Sequence, residues 1–192
     1  MQKMTQKTGL SLAALAPMMA MAHPGHHHHT DASFWTGFVH PFTGLDHFMM
    51  ALALGILLCK VATQWRVVGT LGLAVALVGG FTLGAMQMLP STVIEYGIVA
   101  SLAVLAFAML KKTSAGLVVA TLALAGFHGV AHGAELAMGG GQVALQILGM
   151  IAAMLSILAT GLVTGAFIQR FVPQGQKIVA VALAIVAVIS AV

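Results

Sequence analysis

The sequence predicts an all-α, multi-pass membrane protein. Three observations support this fold class: 60% of the residues are hydrophobic, only 6% are charged, and the mean hydropathy is +1.03. Soluble domains carry about 25% charged residues, so the composition argues against a soluble fold. Several apolar stretches also approach the roughly 20 residues that a helix needs to cross a bilayer.

Six apolar stretches are separated by short polar or Gly/Pro-containing breaks, and we predict one transmembrane helix in each. The first helix is expected to be kinked at Pro41, because proline removes a backbone N–H and its ring crowds the preceding turn. The last stretch is short for a full crossing. The predicted spans are Phe34–Cys59, Val67–Leu89, Thr92–Leu110, Ala115–Met138, Gln142–Ile168 and Ile178–Val192.

The N-terminus has the features of a secretory signal peptide. Lys3 and Lys7 precede a short apolar run, and Ala20-Met21-Ala22 supplies the small residues that signal peptidase requires. The run is short for a span and contains a proline, which favours cleavage after Ala22 over an uncleaved anchor helix. The predicted organisation is a signal peptide (1–22), a periplasmic His-rich tail (23–32) and a six-helix transmembrane domain (33–192).

The cations beyond the signal region indicate the topology. All of them fall in the breaks after the first, third and fifth predicted spans, and such residues favour the cytoplasmic side of a membrane. Both mature termini are therefore expected to be periplasmic. The basic residues are scattered, so the pI of about 9.7 does not indicate nucleic-acid binding. The sequence has no Gly-rich phosphate-binding loop, so we expect no nucleotide as a partner. The cations are Lys60, Arg66, Lys111, Lys112, Arg170 and Lys177.

The first polar motif is His40-Pro41-Phe42-Thr43-Gly44-Leu45-Asp46-His47, which lies in the first predicted span. Ionisable side chains at membrane depth cost about 2.5–3.5 kcal/mol each, so they are seldom present without a function. On an unbroken helix His40 and His47 would be about 10 Å apart along the axis, too far to share one ion. A kink could bring His40, Asp46 and His47 together. The alternative is a structural kink whose polar residues bond to neighbouring helices.

The second polar motif places His128, His132 and Glu135 on one face of the fourth predicted span. Their i, i+4 and i+3 spacings suit two metal ligands, with the carboxylate as third ligand or as an orienting group. Gly129 and Gly133 form a GxxxG pair, which predicts close approach of another helix.

Both motifs fall in the outer half of the predicted membrane region. Antiparallel packing of the first and fourth spans would bring His47 to the level of His128 and His132. Cys59 is the single cysteine, so a thiolate cage is excluded and any site must use imidazole, carboxylate, thioether, backbone or water. The sequence therefore predicts a divalent transition-metal site between these two spans.

Two further elements are candidates for capturing metal at the outer face. The His-rich tail is typical of weak metal-collecting segments, although it could equally be a solvated tail. Glu95 could attract cations or could complete a capping box with Thr92 at a helix start. The tail residues concerned are His23, His26, His27, His28, His29 and Asp31.

The two motifs together resemble the signature segments of the HupE/UreJ family of bacterial nickel permeases. The resemblance covers most of the chain and implies import of Ni²⁺, or Co²⁺, across the inner membrane to supply hydrogenase or urease maturation. It also implies that His40, Asp46 and His47 are essential for transport. The metal is then the substrate and no prosthetic group is expected. Association into a homo-oligomer is left open.

Two other functions remain open from the residues alone. An intramembrane zinc-dependent hydrolase could use the same ligands, but the chain has Gly129 where an H-E-x-x-H motif would have its glutamate. A membrane metal sensor or buffer would bind the ion without moving it. Nitrogen and oxygen ligands do not by themselves select among Ni²⁺, Co²⁺, Zn²⁺ and Cu²⁺.

Overall fold

The computed structural model describes residues 33–111, 115–136 and 142–191, and all regular elements in these ranges are helices. The predicted signal peptide and His-rich tail lie outside the described residues. The helices are α1 (Phe34–Thr43), α2 (Leu45–Leu58), α3 (Thr63–Ala85), α4 (Ser91–Leu110), α5 (Ala115–Leu136), α6 (Val143–Phe171) and α7 (Gly175–Ile189).

Four of the described helices, α3 to α6, are long and apolar enough to cross a membrane. The pair formed by α1 and α2 makes a fifth span if the two are counted together. Helix α7 is apolar but has only 15 residues. The chain is thus a multi-pass helical protein with four to five candidate spans, fewer than the six predicted from apolar runs.

The first predicted span is broken, and the break is not at Pro41. Helix α1 continues through Pro41 to Thr43, and the axes of α1 and α2 differ by 83° across Gly44. Gly44 has extended backbone angles (φ −89°, ψ 112°). Glycine is a poor helix former, and here it also leaves room that a side chain would fill. The prediction of a distorted segment was correct, but its position was wrong by three residues.

Helices α3 and α5 are in close backbone contact. A methyl group added at Gly84 of α3 would collide with the carbonyl oxygen of Val130, and one at Gly133 of α5 would collide with that of Phe81. Small residues allow this approach, which is a common way for membrane helices to associate. The close helix approach predicted from Gly129 and Gly133 is confirmed, and α3 is the partner.

Helix α6 packs against both halves of the broken span. A methyl group at Gly149 would collide with the carbonyl oxygen of Phe34 in α1, and one at Gly161 would collide with that of Leu52 in α2. The 29 residues of α6 therefore support α1 and α2 along one continuous helix.

Arg66 lies in the first turn of α3 and not in the preceding break as predicted. Its guanidinium donates to the carbonyl oxygens of Cys59 (2.8 Å) and Val61 (3.1 Å), so it holds the turn between α2 and α3. Arg170 and Lys177 likewise lie in the terminal turns of α6 and α7. These three cations still mark the helix ends at which they were predicted.

Candidate metal site

The start of α2 carries an imidazole–carboxylate pair. Asp46 and His47 lie in the first turn after the break, and His47 Nδ1 is 2.9 Å from Asp46 Oδ1. A carboxylate in the first turn of a helix is stabilised by the helix dipole. A Cβ atom on Gly44 would lie 3.0 Å from His47 Nδ1 and 3.2 Å from Asp46 Oδ1, so the glycine leaves space for this pair.

Helix α5 contributes the second pair. His132 Nε2 lies 2.7 Å from Nε2 of His47, a contact between the two polar motifs. On its other side, His132 Nδ1 lies 3.7 Å from a carboxylate oxygen of Glu135. The two imidazoles thus meet through their Nε2 atoms, while both Nδ1 atoms face carboxylates. Antiparallel packing of the first and fourth predicted spans predicted that His47 and His132 would lie at the same level.

His40 reaches the same cluster from α1. Its ring centre lies 4.6 Å from that of His132 and 5.9 Å from that of His47. The bend at Gly44 makes this possible, because a straight helix would separate His40 from His47 by about two turns. His40 is exposed, so it forms the outer side of the cluster.

His128 forms the inner side. It is fully buried, and its ring centre lies 4.6 Å from that of His47. One ligand atom each from Asp46, His47 and His128 lies within 4.8 Å of the others, a spacing compatible with a shared metal ion. Imidazole nitrogen and carboxylate oxygen are suitable ligands for borderline divalent metals.

Exposure falls sharply into the cluster. The Glu135 side chain is 61% exposed, those of His47 and His132 are 10% and 8% exposed, and His128 is fully buried. A cavity of about 20 Å³, room for about one water molecule, lies beside His47 and His132. Most of its wall is apolar, with Met150 and Met154 of α6 among the lining residues.

The six residues predicted as the principal site, His40, Asp46, His47, His128, His132 and Glu135, therefore lie together. Glu95, which was predicted to attract cations at the outer face, is exposed on α4 and lies outside this cluster. Helix α4 begins with Pro90 as N-cap and has no side-chain cap bond, so the predicted capping box with Thr92 is wrong. The tail residues lie outside the described part of the chain.

Sequence reasoning missed Ser101. Its side chain is fully buried in α4, and Oγ lies 3.0 Å from Nε2 of His128. A single serine in an apolar helix usually bonds to its own backbone, so only the packing of α4 against α5 shows this contact.

The fold and this cluster define a class: a multi-pass helical membrane protein with a buried group of histidines and carboxylates. The family model described as HupE / UreJ protein matches residues 10–190. Protein HupE of Rhizobium leguminosarum bv. viciae is 32% identical over 184 residues, covering 92% of this chain and 91% of that protein. No solved structure gives a significant match. The chain belongs to the HupE/UreJ family, which supports a role in metal transport in general.

Proposed function

We propose that this protein is a secondary permease that imports a divalent transition-metal ion, first of all Ni²⁺ and alternatively Co²⁺, through the histidine–carboxylate cluster. The observation that carries the proposal is the contact of His47 and His132 through Nε2, with a carboxylate beside each Nδ1. The ion is the substrate.

The ligand atoms follow from this arrangement. A carboxylate that accepts the Nδ1 proton of a histidine fixes the ring so that Nε2 faces the metal. Asp46 then orients His47, and Glu135 orients His132. Two nitrogens at right angles around an ion with bonds of about 2.1 Å are about 3.0 Å apart. The observed 2.7 Å needs only a small opening to reach that separation.

The proton between the two rings supports the same assignment. Two imidazole nitrogens at 2.7 Å need a hydrogen between them, because two lone pairs repel each other. Because Asp46 accepts the Nδ1 proton of His47, this hydrogen belongs to Nε2 of His132. A divalent ion would replace it and would be held by the Nε2 lone pairs of both rings. The displaced proton would move to Nδ1 of His132, which faces Glu135.

The fall in exposure suggests the direction of movement. In the proposed path, an ion first meets Glu135 and His40, passes to His47 and His132, and then reaches His128. Glu95 and the His-rich tail would raise the ion concentration at the outer face. Release to the opposite side would follow from there.

We further propose an inner-membrane location with six crossings and periplasmic termini. The crossings are α1 and α2 together, then α3 to α7 individually. The cations at the ends of α2, α4 and α6 support this orientation. By the family resemblance, the imported metal would supply hydrogenase or urease maturation.

Uptake of radiolabelled Ni²⁺ into proteoliposomes tests this function. His47→Ala should reduce uptake at least tenfold, since it removes a central ligand. Ser156→Ala should not, because the hydroxyl of this exposed serine bonds to the backbone carbonyl of Ala152, away from the histidine–carboxylate cluster. Uptake retained in His47→Ala would contradict the proposal. Metal-dependent hydrolysis without flux would favour a hydrolase, and binding with neither would favour a sensor or buffer.

A further inference from the structure

Ser101 and His128 form a fully buried contact between α4 and α5, near the middle of both helices. The hydroxyl oxygen of Ser101 lies 3.0 Å from His128 Nε2 and 2.6 Å from the carbonyl oxygen of Ile98. Both side chains are 0% exposed, so water does not compete for these bonds.

The two distances determine where the protons lie. A carbonyl oxygen only accepts, so the single hydroxyl proton of Ser101 must be donated to Ile98. Toward His128 the hydroxyl oxygen can then only accept. The N–H of the His128 ring is therefore at Nε2, and Nδ1 carries a free lone pair.

The free lone pair is not used by the protein itself. Nδ1 of His128 is buried and has no hydrogen-bond partner among the described residues. An unsatisfied buried polar atom costs about 1–3 kcal/mol, which is unusual unless it serves a ligand. The ring also lies against His47, whose centre is 4.6 Å away.

We propose that Ser101 is a positioning residue that holds His128 as the Nε2–H tautomer, so that Nδ1 is the atom with which His128 binds the metal. This inference rests on the proposed function. It gives His128 the opposite ligand atom from His47 and His132, which would use Nε2. The difference arises because the hydrogen-bonding partner of His128 is a hydroxyl on α4, whereas the other two rings face carboxylates on their own helices.

The first test reads the tautomer without metal. Protein carrying ¹⁵N-labelled histidine is studied by NMR in lipid nanodiscs, and His128→Asn identifies the signals of His128. The expected spectrum has a protonated Nε2 and an unprotonated Nδ1 at His128 in the wild type. In Ser101→Ala the two tautomers should both be populated. A protonated Nδ1 in the wild type would overturn the inference.

The second test measures Ni²⁺ affinity of the same proteins by calorimetry. Ser101→Ala should weaken binding about 10–100-fold, the usual cost of losing a group that orients a metal ligand. Ser101→Thr retains the hydroxyl and should recover most of the affinity. Thr121→Val is the matched control, because Thr121 is also fully buried and its hydroxyl bonds to the backbone of Leu117. Wild-type affinity in Ser101→Ala would overturn the inference.

The two tests separate this inference from the proposed function. If the wild-type protein bound no Ni²⁺, the proposed function would fail, whereas the tautomer of His128 is still read in the metal-free protein. If the wild type bound Ni²⁺ but Ser101→Ala changed neither the tautomer nor the affinity, only the role of Ser101 would fail.

Discussion

Asp46 and Glu135 each face the Nδ1 atom of a histidine whose Nε2 atom lies in the contact between α2 and α5. The two carboxylates differ in distance, 2.9 Å for Asp46 and 3.7 Å for Glu135. Only the first is a hydrogen bond by length. Asp46 therefore orients its ring in the metal-free protein, whereas Glu135 would do so fully only after a small movement.

The role of Asp46 leads to a graded prediction. Asp46→Ala removes the acceptor for His47 Nδ1–H and should lower Ni²⁺ affinity about 10–100-fold. Asp46→Asn keeps an oxygen acceptor without the charge, so its affinity should lie between those of the alanine variant and the wild type. Calorimetry on protein in nanodiscs measures both. Equal affinities in all three proteins would contradict the orienting role.

The clustering of the six principal residues could be predicted from sequence, because ionisable residues are rare in apolar helices and seldom lack a function there. His128, His132 and Glu135 also share one helical face. Ser101 could not be found this way, since a serine is common in membrane helices and its contact with His128 spans two helices. Glu95 was predicted as a residue that captures metal at the outer face, and this role stays a prediction.

At the level of elements, the bend at Gly44 determines how α1 and α2 share the site. Proline gave the stronger sequence signal, yet α1 remains helical through Pro41. Pro41 lacks the N–H that would bond to the carbonyl of Gly37, yet α1 is helical on both sides of this missing bond. Gly44 is the position where the backbone leaves the helix and where Asp46 and His47 need space.

Gly44→Ala tests this requirement for space. Its Cβ would lie 3.0 Å from His47 Nδ1, so we expect the imidazole–carboxylate pair to be displaced and Ni²⁺ affinity to fall several-fold or more. The melting temperature should change little, because a side chain moves more easily than the backbone. Unchanged affinity, with the melting temperature as the control for folding, would contradict this explanation.

The contact between α3 and α5 gives a second prediction with a control in the same helix. Gly84→Ala would force the backbones apart at Val130 and should destabilise the protein by about 1–3 kcal/mol, as overpacking usually does. Gly79 has no atom within 4 Å of an added Cβ, so Gly79→Ala should be neutral or stabilising by about 0.5–1 kcal/mol.

Thermal unfolding of the two variants in detergent micelles measures this difference. The lower melting temperature is expected for Gly84→Ala alone. Melting temperatures equal to that of the wild type in both variants would contradict the role of close backbone contact in holding α3 to α5.

At the scale of the whole molecule, composition predicted the membrane class, while the number of spans depended on where apolar runs break. The run from 34 to 59 was predicted as one span, whereas the backbone bends by 83° at Gly44 within it. The count also differs at α7, which has only 15 residues. The predicted boundaries of α4 and α6 lie within about three residues of the observed ones. Pro90 lies just before α4, and Pro173 lies just after α6.

The orientation of the chain can be tested in a Cys59→Ser background. Met88→Cys lies in the turn before α4 and should react with a membrane-impermeant maleimide added to the periplasmic side of cells. Lys111→Cys lies at the other end of α4 and should react only after lysis. Both side chains are exposed, so access depends on the side of the membrane. The reverse pattern would contradict periplasmic termini.

The 83° bend leaves α2 with only 14 residues. At 1.5 Å per residue such a helix is about 21 Å long, whereas the hydrocarbon layer is about 30 Å thick. If α2 is parallel to the membrane normal, α1 lies almost in the plane of the membrane. The bilayer must then become locally thinner, or water must enter on the outer side of His47. A hydrated ion could then approach the imidazoles before losing its water shell, which would shorten the distance over which it travels without solvent.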